Sequence, residues 1–316
     1  MTEENNNNNL SPLKKSGIEP TMPPGKAAVY ALFIVFFLYQ FGGGLLQILI
    51  FGFDLKDANM NALRLFTAGG QILFILAPAL ILAKLVYTDV TPILRVKVPN
   101  WKEVIVFIVG LGILTPLLQN FIYVQNFLIQ KLSEVSGFFE TLKTFFDQMD
   151  TLLTDMYGGI LSASSIFEMI LVVLVVAFVP AICEEVFFRG FVQKSFELSI
   201  KPFWAIFITS IAFSLYHFNP YGFLALLFLA MFLGFSVYIS KSILIPVILH
   251  FLNNFVSIIV YFIEGGEGLS NTAVVTSEEF SFNLISLILL SIIFFLFLYF
   301  VKKYYYKFTN INEETQ

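Results

Sequence analysis

The sequence predicts an all-α fold, a polytopic transmembrane bundle of about eight spans, on three observations. Of its 316 residues, 58% are hydrophobic and 13% charged, and mean hydropathy is +0.83. A soluble domain carries about 25% charge, so this apolar excess cannot be buried in one water-facing core. Eight stretches approach the roughly 20 apolar residues that cross a ~30 Å hydrocarbon layer. Their apolar residues fall on every side of the segment, which favours helices over the alternating strands of a membrane barrel. A net charge of −4 and a single cysteine, Cys183, exclude nucleic-acid-binding and disulfide-scaffold readings.

In chain order, residues 1–26 carry an Asn run, Asn5 to Asn9, and Pro20, Pro23 and Pro24, without the apolar core of a secretory signal, and read as a disordered cytoplasmic tail. Residues 27–130 hold the amino-terminal spans 27–51, 62–87 and 104–129. Gly42 to Gly44 inside the first would permit close helix packing. Across 131–165, apolar residues from Leu132 to Met156 recur at three- and four-residue steps, giving an amphipathic interfacial helix. It would lie flat on the bundle or the membrane surface, or serve as a substrate-gating lid. Residues 166–263 form the core, with spans 166–189, 202–218, 221–240 and 243–263. An acidic loop, 264–281, precedes a last span, 282–301, and a basic cytoplasmic tail ending at residue 316. Pro78, Pro116, Pro180 and Pro246 inside spans are tolerable where neighbouring helices satisfy the carbonyls they free. Most Lys and Arg residues fall on one side, leaving Lys56, Arg64, Lys131 and Lys143 on the other, so the chain should sit in the cell membrane with both termini cytoplasmic.

Ionisable groups within a span cost a few kcal/mol each, so they face the bundle interior and mark pairing or function. They cluster at three places. Glu184 and Glu185 precede Arg189; Glu185 and Arg189 are one helical turn apart and can pair, whereas Glu184 points about 100° away. Phe213 and His217 share a face of one span, and His250 and Asn254 a face of another. A carboxylate withdrawn from water is a usable general base, which suits Glu184, and His217 can hold or share the proton of an attacked water. An imidazole N–H from His250 and the Asn254 amide would serve a developing oxyanion. A zinc site of Glu184, His217 and His250 is the competing chemistry, with ligands from three helices. Helix geometry turns Cys183 away from its neighbour Glu184 and leaves a thiol mechanism little support.

Glu184-Glu185-x-x-x-Arg189, Phe213-x-x-x-His217 and His250-x-x-x-Asn254, in that order, resemble the three motifs of the CPBP intramembrane proteases, which take in CAAX prenyl proteases, bacteriocin self-immunity proteins and the Abi group. The resemblance covers about residues 166–255. It implies Glu184 and His217 as the water-activating pair, His250 and Asn254 as oxyanion donors, Glu185 and Arg189 as a supporting pair, and Phe213 lining the site. It also implies a metal-independent reaction on a membrane-associated or prenylated peptide reached from the cytoplasmic side, with membrane lipid as the other partner and no cofactor beyond the zinc alternative. A noncatalytic immunity or scaffold protein and a proton-coupled transporter are the alternatives; no repeat between halves supports the transporter.

Overall fold

The computed structural model describes residues 19–53, 58–264 and 276–309, and these residues form a helical bundle without strands. Its helices are α1 (Pro24–Phe51), α2 (Met60–Val86), α3 (Trp101–Val135), α4 (Gly137–Leu161), α5 (Ile166–Glu197), α6 (Pro202–Tyr216), α7 (Phe223–Ser240), α8 (Leu244–Glu264) and α9 (Ser277–Thr309). Seven are long and apolar enough to cross a membrane, and the chain is a multi-pass membrane protein. Lys56, most of the acidic loop and the last seven residues of the basic tail lie outside the described residues.

Several expected boundaries shift: α1 begins at Pro24 within the stretch read as a disordered tail, α5 runs on to Glu197, and α9 extends from Ser277, within the expected acidic loop, to Thr309. The third span runs to Val135, so residues 131–135 belong to α3, and the amphipathic helix begins only after the chain extends at Ser136. The expected span at 202–218 is a helix of 15 residues, about 22 Å at 1.5 Å per residue and short of the hydrocarbon layer. Asn219-Pro220 stops it: Phe218 takes a positive φ of 49°, and the Asn219 side chain accepts from the Gly222 N–H at 2.7 Å. The α6–α7 turn is therefore recessed into the bundle.

Small residues let the first core form. Ala27, Ala28 and Ala31 of α1 meet Ala79 and Ala83 of α2 around Phe187, Phe188 and Phe191 of α5, all buried. A second core joins α3, α7, α8 and α9 through Phe107, Leu114, Phe232, Leu249 and Tyr305. Gly110 allows this contact, because a Cβ there would lie 2.5 Å from the Phe297 ring and 2.6 Å from that of Phe232. Gly42 to Gly44 play no such part. A Cβ at Gly44 would meet nothing within 4 Å among the described residues, and at the other two only Phe74 at ordinary distances.

The first and last described residues lie at one end of the bundle, here the basal end. Thr21 N bonds Leu85–Val86 at the foot of α2 through the Val86 carbonyl, Asn100 bonds the Thr309 carbonyl, and Arg95 pairs with Glu197 at 3.1 Å. The opposite end, the roof end, carries α4 and the α6–α7 turn. Asp147 on α4 accepts from the Tyr221 hydroxyl at 2.6 Å, and Arg64 on α2 donates to the Ile160 carbonyl at 2.8 Å and to that of Ser162.

Candidate active site

Wide π-helical turns interrupt α1, α2 and α5 where these helices face one another: Leu38–Gly43, Ile72–Leu76, Val173–Phe178 and Val186–Val192. Such turns cluster at functional sites and commonly need a local cause. In α2 and α5 a proline follows the turn by two residues. Pro180 has no N–H for the carbonyl of Val176, and Asn254 on α8 donates its amide to that carbonyl at 3.0 Å. The expectation that a neighbouring helix would satisfy a carbonyl freed by proline is met here by a residue of the third motif.

Between these helices lies a cavity of about 620 Å³, and Glu184, Phe213, His217, His250 and Asn254 all line it. The two adjacent glutamates diverge as their helical positions require. Glu185 Oε1 accepts from Arg189 Nη1 at 2.6 Å and from His250 Nδ1 at 2.7 Å. Arg189 also donates to the Ala230 carbonyl at 3.3 Å and stacks its guanidinium 4.4 Å above the Phe213 ring. The side chains of Glu185, Arg189 and His250 are 0%, 1% and 5% exposed, a dry triad joining α5 to α8.

Glu184 turns into the cavity instead. Its Oε2 lies 3.9 Å from His217 Nε2, too far for a hydrogen bond, and has no hydrogen-bond partner among the described residues. The termination of α6 sets the His217 ring. The last carbonyls of a helix lack N–H partners, and His217 Nδ1 donates to that of Phe213 at 2.8 Å. That bond places a proton on Nδ1 and turns Nε2 toward Glu184.

The zinc set expected as an alternative does not assemble. Among the described residues no three His, Cys, Asp or Glu side chains are grouped to hold a metal ion, and His250 gives its Nδ1 to Glu185. Cys183 is buried in the α1–α2–α5 core, away from the cavity lining.

The amino-terminal helices and α4 contribute lining that the motifs do not reveal. Tyr39 and Gln40 of α1 and Thr67 and Gln71 of α2 enter the cavity, and Met149, Leu152, Met156 and Tyr157 roof it from α4. The signal for the first four is that they are polar side chains inside apolar runs. The amphipathic helix thus lies over the cavity, not merely flat on the bundle.

No curated protein and no solved structure matches the chain. Residues 166–256, which hold all seven motif side chains, match the family model described as type II CAAX prenyl endopeptidase Rce1-like, so the helices that carry the cluster have the sequence pattern of the CAAX-type, or CPBP, intramembrane proteases.

Proposed function

We propose that the protein is an intramembrane endopeptidase that hydrolyses a membrane-associated or lipidated peptide with water activated by Glu184 and His217. The observation that carries this reading is the division of labour between the two glutamates. Glu185 is consumed in a dry triad, and Glu184 faces an imidazole nitrogen across a 3.9 Å gap inside a cavity. A water in hydrogen-bond reach of both acceptors would present its oxygen to a peptide carbonyl. As the O–C bond forms, one proton passes to Glu184, and the second stays held by His217. The tetrahedral oxyanion then collapses, the C–N bond breaks, and Glu184 delivers its proton to the leaving nitrogen, giving an amine and a carboxylic acid whose remaining proton leaves to solvent.

Stabilising the oxyanion falls to Asn254 and His250. Asn254 spends one amide hydrogen on the Val176 carbonyl and retains the other. His250 gives its Nδ1 proton to Glu185, so its Nε2 donates only when the ring is an imidazolium. The Glu185 carboxylate, itself held by Arg189, fixes the His250 ring through this bond, which gives Glu185 and Arg189 their supporting role.

The family match and the apolar roof support a substrate that is apolar and held at the membrane. The distribution of Lys and Arg supports a cell-membrane location with both termini cytoplasmic. No metal, cofactor or nucleic acid enters the reaction. Purified protein in detergent, incubated with apolar peptides and followed by mass spectrometry, should cut at least one internal peptide bond, and His217→Ala should not. Cleavage that survives His217→Ala would refute the reading.

A further inference from the structure

The proposed protease chamber extends toward one end of the bundle, and that end is not the one expected from sequence. Glu184 sits near mid-depth, about 20 Å along α5 from Glu197 and about 27 Å from Ile166 at 1.5 Å per residue. On the basal side of it the interior is closed by successive layers. Arg189 bonds the Ala230 carbonyl, Gln193 bonds that of Gly234 at 3.0 Å, and Arg95 pairs with Glu197. Phe187, Phe191 and Val192, all fully buried, pack into the α1–α2–α5 core on this side.

On the roof side the cavity continues. Its lining there comes from the halves of the helices remote from the chain ends: Thr67 of α2, Val176 of α5, Leu226 of α7 and Ser257 of α8, with the turn at Phe218 and the apolar face of α4. The short α6 creates this recess, and α4 covers it.

Charge distinguishes the two ends. Lys84, Arg95, Lys97, Lys201, Lys241 and Lys302 are among the cations of the basal end, whereas the roof end has Arg64, Lys131 and Lys143 among the described residues. Basic residues accumulate on the cytoplasmic side of a membrane protein. A cleft opening to the cytoplasm and cytoplasmic termini are therefore incompatible in this geometry.

Resting on the peptidase reading, we propose that the chamber is served from the outer face of the membrane and that its substrate is an apolar peptide segment held in the outer leaflet. The reaction that supplies such a substrate is the export of a precursor across the membrane, not the attachment of a prenyl group to a cytoplasmic protein. Cysteine labelling tests the sidedness without requiring activity. In a Cys183→Ala background, Thr144→Cys places a thiol on the exposed side of α4, outside the cavity lining, and Lys303→Cys places one at the basal end. A membrane-impermeant maleimide added to intact cells should label Thr144→Cys, and Lys303→Cys only after permeabilisation. The reverse pattern would overturn the proposal.

A second arm uses the full chain in liposomes of known orientation and a quenched apolar peptide, with a sulfonated dye, chosen because detergent-solubilised protein cuts it. Cleavage should come only from molecules whose roof faces the peptide; cleavage only from the basal side would also overturn the proposal. Failure to cut any peptide in detergent would instead defeat the peptidase reading, while the labelling would still decide the sidedness.

Discussion

Val176, Pro180 and Asn254 show how one side chain serves both structure and chemistry. Asn254→Ala leaves a buried carbonyl without a donor, at a cost of about 1 to 3 kcal/mol, and removes an oxyanion donor, at a cost of about 100- to 1000-fold in rate. Pro180→Ala restores an N–H for Val176, so in that background Asn254→Ala should lower melting temperature less and rate just as much. Equal stability losses in the two backgrounds would contradict the shared role. Arg189→Ala should destabilise the fold by about 3 to 5 kcal/mol, because Glu185 becomes a buried charge left with His250 alone. Thermal unfolding in detergent measures this, and an unchanged midpoint would mean the triad contributes nothing. The Glu185–Arg189 pair was legible in the sequence because i,i+4 spacing lies within one helix. The Glu185–His250 bond was not, since it depends on the register between α5 and α8, and helical periodicity gives the face of a residue without its height against a neighbour.

At the scale of elements, the amphipathic pattern of α4 was legible, but periodicity identifies an apolar face and not what lies across from it. Hydropathy likewise placed α6 and set its end at residue 218, two residues past Tyr216, because it registers the apolar Phe218 and not the backbone turn there. These two departures are one feature: the short helix leaves a recess, and the amphipathic helix fills it. Two polar ties hold the roof, Asp147 to Tyr221 and Arg64 to the last carbonyls of α4. Tyr221→Phe removes the first at a net cost of about 1 kcal/mol. Hydrogen exchange should then quicken across α4 while α5 stays protected; unchanged exchange in α4 would show that the Asp147–Tyr221 bond does not hold the roof.

For the whole molecule, the number of helices was legible because hydrocarbon thickness fixes a span's length and composition. The end toward which the chamber extends was not, since it emerges only when eight helices are aligned by depth. The same alignment brings Glu184, His217, His250 and Asn254 to one cavity while leaving no grouping of three ligands for a metal. Excess chelator should accordingly leave turnover intact; activity lost to chelation and restored by zinc would require a different arrangement of these side chains. The most direct measurement is turnover of Glu184→Gln beside its thermal stability, since the substitution preserves volume and removes the base without touching the dry triad. Water activation by Glu184 requires that peptide cleavage fall to background while the melting temperature stays close to that of the unaltered protein. Sustained cleavage by a folded Glu184→Gln protein would contradict it.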